Sequence, residues 1–204
     1  MARYNYIMKK ILSLIILIFT AITSVNADSL SFPFTQDNVK DWRFFSDQVM
    51  GGVSEGQVSL EQDGDKIFIR LYGDVRTDNN GGFIQLRTST SLSNKPLIFK
   101  KLHNSKKDGK KIQGIRLKVK GNGEKYHIFI QTTIFYRLPT GYQIATFDTS
   151  PEWETVEIPF NTFKNLKDNK DSNINAKDIK TFGIVAYGRD FKSDLSVSSV
   201  EFYY

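Results

Sequence analysis

An antiparallel β-sandwich or barrel is the fold this sequence predicts, and three observations lead to it. After residue 27 the chain breaks into short runs in which apolar and polar residues alternate with period two. Gly, Asn and Asp punctuate those runs at short intervals. No long stretch repeats its apolar residues with a 3.6 period, so helix is expected to be nearly absent.

The elements follow in order. Run 66–72 (KIFIRLY) sets Ile67, Ile69 and Leu71 on one face and Phe68, Arg70 and Tyr72 on the other. Runs 83–87 (FIQLR), 112–119 (IQGIRLKV), 126–131 (YHIFIQ), 142–147 (YQIATF), 155–158 (TVEI), 182–187 (FGIVAY) and 195–202 (LSVSSVEF) obey the same rule. Eight to ten strands separated by turns are expected. The turns Asp63-Gly64-Asp65, 79–82 (NNGG) and 121–124 (GNGE) supply residues that tolerate positive φ, which tight connections require. Two longer polar segments, 89–111 and 165–180, are expected to be surface excursions. Neither has a hydrophobic core of its own and nothing repeats, so residues 28–204 are one domain.

Residues 1–27 read as an address. Arg3, Lys9 and Lys10 precede the apolar run 11–25 (ILSLIILIFTAITSV), and no acid accompanies them. The run is short of the roughly 20 residues of a membrane span but suits a signal peptide. Val25-Asn26-Ala27 offers a cleavage site that would leave Asp28 first, and the alternative is an uncleaved N-terminal anchor. The expected destination is therefore the periplasm or the cell exterior.

The signal also changes how charge is read. The chain carries +6 with a pI near 9.3. Without the three N-terminal cations, 25 basic residues face 22 acidic ones, leaving +3. The stretch 100–111 holds +5 of this, from Lys100, Lys101, Lys106, Lys107, Lys110 and Lys111 against Asp108, so the remaining body is slightly acidic. That stretch has no interleaved aromatic platform, which argues against nucleic acid and leaves a solvated loop or contact with anionic lipid or an acidic partner. Any membrane contact is expected only there or through the signal or anchor. The chain has no Cys and two His, His103 and His127. Disulfides, thiolate metal sites and cysteine nucleophiles are thereby excluded.

One segment is chemically unusual. Residues 41–54 (DWRFFSDQVMGGVS) concentrate a Trp, two Asp, a Met and a Gly pair. Trp42 and Phe44 read as core anchors, Gly51-Gly52 permits a sharp bend, and Asp47 and Ser54 are placed to bond its backbone amides. The segment is either a fold-determining corner or a loop that touches a ligand or partner.

The same residues resemble a known family. Asp47 with 49–54 (VMGGVS), then Asn80-Gly81-Gly82-Phe83 and Arg87, are similar to the complex I intermediate-associated protein 30 family. The resemblance continues through 142–149 (YQIATFDT), Trp153, Ile158-Pro159-Phe160 and Phe182-Gly183-Ile184, spanning most of 32–202. It implies a galactose-binding-like jelly-roll sandwich, a fold related to some carbohydrate-binding modules. Mitochondrial members are chaperone-like assembly factors for respiratory complex I, and plastid relatives support photosynthetic assembly. This chain departs from them in carrying an export signal and lacking a Rossmann-type segment, and an exported protein cannot reach matrix-side intermediates. The reading that follows is a non-enzymatic interaction or assembly module, a monomer, acting on a protein partner in the cell envelope. The alternative is a module binding a glycan. The candidate ligand- or partner-binding set is Trp42, Asp47, Met50, Gly51, Gly52, Ser54, Asn80, Arg87 and Tyr142.

Other chemistry is weaker. Asp47, Asp74 and Asp78 are the acids to weigh as a glycosidase pair, but two of them flank a predicted turn. His127 is a lone imidazole with no His or Cys near it in the sequence. The run 168–173 (DNKDSN) is a Ca²⁺ candidate without the central Gly or closing Glu of a calcium loop; no cofactor is expected. For a glycan, Tyr126, Tyr136, Tyr142, Tyr187, Tyr203 and Tyr204 are possible stacking platforms, with Arg87, Asn80 and Arg189 as polar partners.

Overall fold

A computed structural model describes residues 29–91, 95–105, 109–132 and 141–204. The expected signal peptide 1–27, Tyr136 and the lysines 106 and 107 lie outside the described residues. The described chain forms strands β1 (Ser29–Pro33), β2 (Arg43–Ser46), β3 (Glu55–Asp63), β4 (Lys66–Val75), β5 (Phe83–Ser89) and β6 (Gly114–Gly121). It continues through β7 (Tyr126–Gln131), β8 (Gln143–Phe147), β9 (Glu154–Pro159), β10 (Lys164–Asn165), β11 (Thr181–Tyr187) and β12 (Phe191–Tyr203). One sheet runs β3-β4-β12-β6-β9, with β1 added on β12; the other runs β10-β8-β7-β11-β5-β2. Every strand pair is antiparallel.

Period-two patterning explains the core. Ile69 and Leu71 of β4, Ile115, Leu117 and Val119 of β6, and Leu195, Val197, Val200 and Phe202 of β12 turn inward from the first sheet. Ile84 and Leu86 of β5, Ile128 and Ile130 of β7, and Phe182, Ile184 and Ala186 of β11 meet them from the second. The doublet Ser198-Ser199 breaks the alternation of β12, and the register against β6 shifts there, between Val197 and Ser199. The bulge returns Val200 and Phe202 to the inner face.

Each sheet is joined in its middle by a late strand. β12 lies between β4 and β6, and β11 between β5 and β7. β1 and β4 share one edge of β12: β4 pairs with Phe191 to Val197, and β1 with Ser199 to Tyr203.

The structure corrects the sequence reading in three places. There are twelve strands among the described residues rather than eight to ten, the four without a predicted run being β1, β2, the nine-residue β3 and the two-residue β10. Segment 89–111 is not merely a polar excursion: it holds the helix α1 (Leu97–Asn104), whose Ile98, Phe99 and Leu102 are buried in the core. Lys100 and Lys101 are consequently exposed helix residues, not part of a loop. At eight residues α1 is shorter than the window over which a helical period can be read. Segment 165–180 likewise buries Ile174, Ala176 and Ile179, and its first residue pairs with β8.

Candidate functional site

The segment 41–54 builds a corner around one carboxylate. Asp47 opens the 3-10 turn Asp47–Met50 directly after β2 and is 0% exposed. Its Oδ1 accepts the Ser54 amide at 2.9 Å. Its Oδ2 accepts the Ser54 hydroxyl at 2.5 Å and the Gly82 and Phe83 amides at 2.5 and 3.1 Å. Ser54 Oγ in turn accepts the Arg76 amide at 2.9 Å. Burial alone would raise the Asp47 pKa. The Gly82 amide, the Ser54 hydroxyl and the Phe83 and Ser54 amides outweigh it and hold the acid below its ordinary value.

The glycines on both sides are there to make room for Asp47. A Cβ on Gly52 would lie 2.3 Å from Asp47 Cγ, and one on Gly81 would lie 2.5 Å from Asp47 Oδ2. Thus the VMGG and NGG motifs are two walls of one carboxylate socket, tied again by Asn79 Nδ2 donating to the Gly51 carbonyl at 3.2 Å.

Beside this corner, a cleft of about 540 Å³ opens on the outer face of the second sheet. β2 contributes Phe45; β5 contributes Phe83, Gln85 and Arg87; β7 contributes Phe129; and Tyr187 comes from the end of β11. Tyr142 and Leu166 close one side, while Val49, Met50, Asn80 and Gly81 form the rim on the Asp47 corner. The Phe129 ring stands 5.2 Å from Tyr187 edge-on and 5.3 Å from Tyr142, tilted. The Arg87 guanidinium lies 4.1 Å over the Phe45 ring and donates to the Tyr142 hydroxyl at 3.1 Å. Gln85 is only 5% exposed, yet its Oε1 has no hydrogen-bond partner among the described residues. Such an acceptor stays costly until a donor reaches it.

The nine candidate residues therefore divide. Met50, Asn80, Arg87 and Tyr142 line the cleft. Asp47, Gly51, Gly52 and Ser54 build the corner behind its rim. Trp42 belongs to neither: it is buried between Phe34, at 5.3 Å, and Phe182, at 5.9 Å. Phe45, Phe83, Gln85 and Phe129 were not anticipated. Their signal is present in the sequence, since Phe83 and Gln85 alternate with the buried Ile84 and Leu86, and Phe129 sits on the same face as His127.

Other expected partners lie elsewhere. Tyr126 is fully buried, donating to Asn122 Oδ1 at 2.9 Å and accepting the Asp194 amide at 2.8 Å. Tyr203 packs under Arg116, and Tyr204 lines a separate hollow beside Lys110 and Lys111. Arg189 is not at the cleft, because it pairs with Glu124 at 2.5 Å. His127 bonds Thr146 Oγ1 at 2.9 Å, and burial pushes its pKa down to about 4. Asp74 pairs with Lys192 and Asp78 with Arg76, so the three weighed acids do not converge on one cleft. Asp168 and Asp171 are matched by Lys170 and Lys164, and no group of three metal-ligating side chains occurs among the described residues. Among them, too, no helix is long and apolar enough to cross a membrane.

Solved structures share this architecture. The family 11 carbohydrate-binding module of the cellulosomal cellulase Lic26A-Cel5E of Clostridium thermocellum is similar with a TM-score of 0.60 at 13% identity, over 87% of this chain and 95% of that one. A family 11 module of the same organism in complex with a β-1,3-1,4-mixed-linked tetrasaccharide gives 0.58 at 14% identity, over 85% and 95%. At such identity the likeness concerns the fold, a jelly-roll sandwich of galactose-binding-like type. No curated protein matches the chain. The family model for complex I intermediate-associated protein 30 (CIA30) matches residues 32–197, from the Phe32 strand through the Asp47 corner to β12, and the chain belongs to that family.

Proposed function

We propose that this chain is a non-catalytic glycan-binding module whose ligand lies in the cleft on the second sheet. One observation carries the reading: aromatic rings flank a buried, unpartnered Gln85 carbonyl and the Arg87–Tyr142 pair. Rings present the flat apolar surface on which sugar CH groups stack, and an orphan acceptor asks for a hydroxyl donor. A related fold that holds a tetrasaccharide in the family 11 module supports the same reading. Affinity electrophoresis through gels containing soluble polysaccharides tests it. At least one polysaccharide should retard the chain, and Tyr142→Ala should run free. Unretarded migration across neutral and acidic polysaccharides alike would remove the proposal.

A second reading, an assembly module for an envelope protein partner, is favoured by the rim. Val49 is 74% and Met50 59% exposed, which is unusual for adjacent large apolar residues. The family relationship to assembly factors points the same way. Crosslinking in intact cells from residue 49 or 50 should then capture one defined protein, lost when both are changed to Ser. Export by residues 1–27 belongs to both readings. Sequencing of the chain recovered from the cell envelope or medium should start at Asp28 if the signal is cleaved.

A further inference from the structure

Resting on the glycan reading, we propose that the cleft selects an anionic glycan, one bearing a carboxylate or a sulfate ester, through Arg87 in its lining and Arg43 just outside it on the edge strand β2. The β2–β5 register sets Arg43 directly opposite Arg87. Residues so paired project from the same face with Cβ atoms about 5 Å apart, and like charges there repel. Among the described residues, nothing acidic relieves them.

Four other arginines among the described residues have carboxylate partners: Arg70 with Asp194, Arg76 with Asp78, Arg116 with Glu157 and Arg189 with Glu124. Arg43 and Arg87 have none within ion-pair distance among the described residues. Arg43 Nη1 donates to the carbonyls of Lys40 and Trp42 at 2.7 and 3.2 Å. Arg87 donates to the Tyr142 hydroxyl and rests on the Phe45 ring. Among the described residues both are held by neutral groups, with most of their N–H donors left over.

Among the described residues, no Asp or Glu lines the cleft. The nearby Asp47 is sealed behind Gly81 and Gly82, with its accepting oxygens occupied. A neutral ligand would leave two adjacent cations uncompensated. A carboxylate or sulfate meets the guanidinium forks in the geometry they favour. Gln85, two residues from Arg87 on the same face, adds the demand for a hydroxyl donor. Acid, hydroxyl and stacking surface together describe an acidic sugar better than an acidic peptide.

Titration calorimetry of the full chain at low salt, with tetragalacturonate, a sulfated carrageenan tetrasaccharide, cellotetraose and a tetraglutamate peptide, provides the test. At least one anionic sugar should bind about tenfold or more tightly than cellotetraose, and the margin should shrink at high salt. The two anionic arms distinguish carboxylate from sulfate. Arg43→Gln, at an exposed edge position, should cut the margin while leaving the melting temperature near wild type; Arg87→Gln should cut it further. Cellotetraose binding as tightly as both acids would overturn the anionic preference yet leave the glycan reading standing. Tetraglutamate matching the best sugar would overturn the sugar assignment, and silence from all three sugars would sink the glycan reading itself.

Discussion

Replacing Asp47 by Ala is expected to be among the most damaging single changes in the chain. The carboxylate is 0% exposed and accepts the Ser54, Gly82 and Phe83 amides and the Ser54 hydroxyl. Two of those donors, the Ser54 and Gly82 amides, make fully buried bonds to it. A buried donor left without a partner costs about 1–3 kcal/mol, so those two alone give about 2–6 kcal/mol. The Phe83 amide is partly buried and adds less, and the Ser54 hydroxyl has the Arg76 carbonyl at 3.1 Å as a second acceptor. A typical domain is stable by about 5–15 kcal/mol, so much of the margin is at stake. Urea unfolding at pH 7 measures the loss as a fall in midpoint at unchanged slope.

The pH dependence gives an independent check. Asp47 is held below its ordinary value in the folded chain, so the unfolded chain binds more protons as acid is added. Its contribution is fully present above the unfolded value of about 3.9 and is lost as pH falls through the lower folded value. The gap between wild type and Asp47→Asn should therefore narrow on acidification below about pH 4. A loss under about 1 kcal/mol for Asp47→Ala, or a gap that ignores pH, would refute the socket argument.

Three further outcomes are expected. Gly52→Ala places a Cβ 2.3 Å from Asp47 Cγ and should cost about 1–3 kcal/mol in urea unfolding, whereas an ordinary flexible bend would cost less. Phe99→Ala should lose about 3–5 kcal/mol because α1 seals the core; a surface loop would lose under about 0.5. His127, with a pKa near 4, should show no imidazole titration by NMR between about pH 5.5 and 8. Because burial disfavours its charged form, its contribution is present above the unfolded value of about 6.5 and is lost as pH falls towards 4; His127→Phe should flatten that slope.

The fold was legible because period-two alternation and a buried face are the same fact seen in sequence and in space: 66–72, 126–131 and 182–187 became β4, β7 and β11 with the expected residues inside. α1 was not legible, since three buried residues in eight positions do not establish a period. The Asp47 corner was half legible. The donors and glycines were identified, but only the structure shows that residues 47–54 and 79–83 surround one carboxylate, because that depends on strand register. The cleft was least legible. Gln85 and Phe129 look like ordinary outward residues until neighbouring strands set them beside Arg87 and Tyr142. Tyr126 shows the converse: an exposed-looking tyrosine whose hydroxyl is satisfied inside the protein.

The late central strands bear on the order of assembly. Until residues 181–203 are available, the first sheet exists only as β3-β4 and β6-β9, and the second only as β2-β5 and β10-β8-β7. Isolated two-stranded ribbons are marginal in water and β10 adds only two residues to β8-β7, so none of these pieces is expected to persist alone. β11 and β12 must zip four ribbons together across long sequence separations, down to β1 against the far half of β12. Folding is then a single slow, non-local event that waits for this segment, and the nascent chain upstream of residue 181 stays open throughout its synthesis.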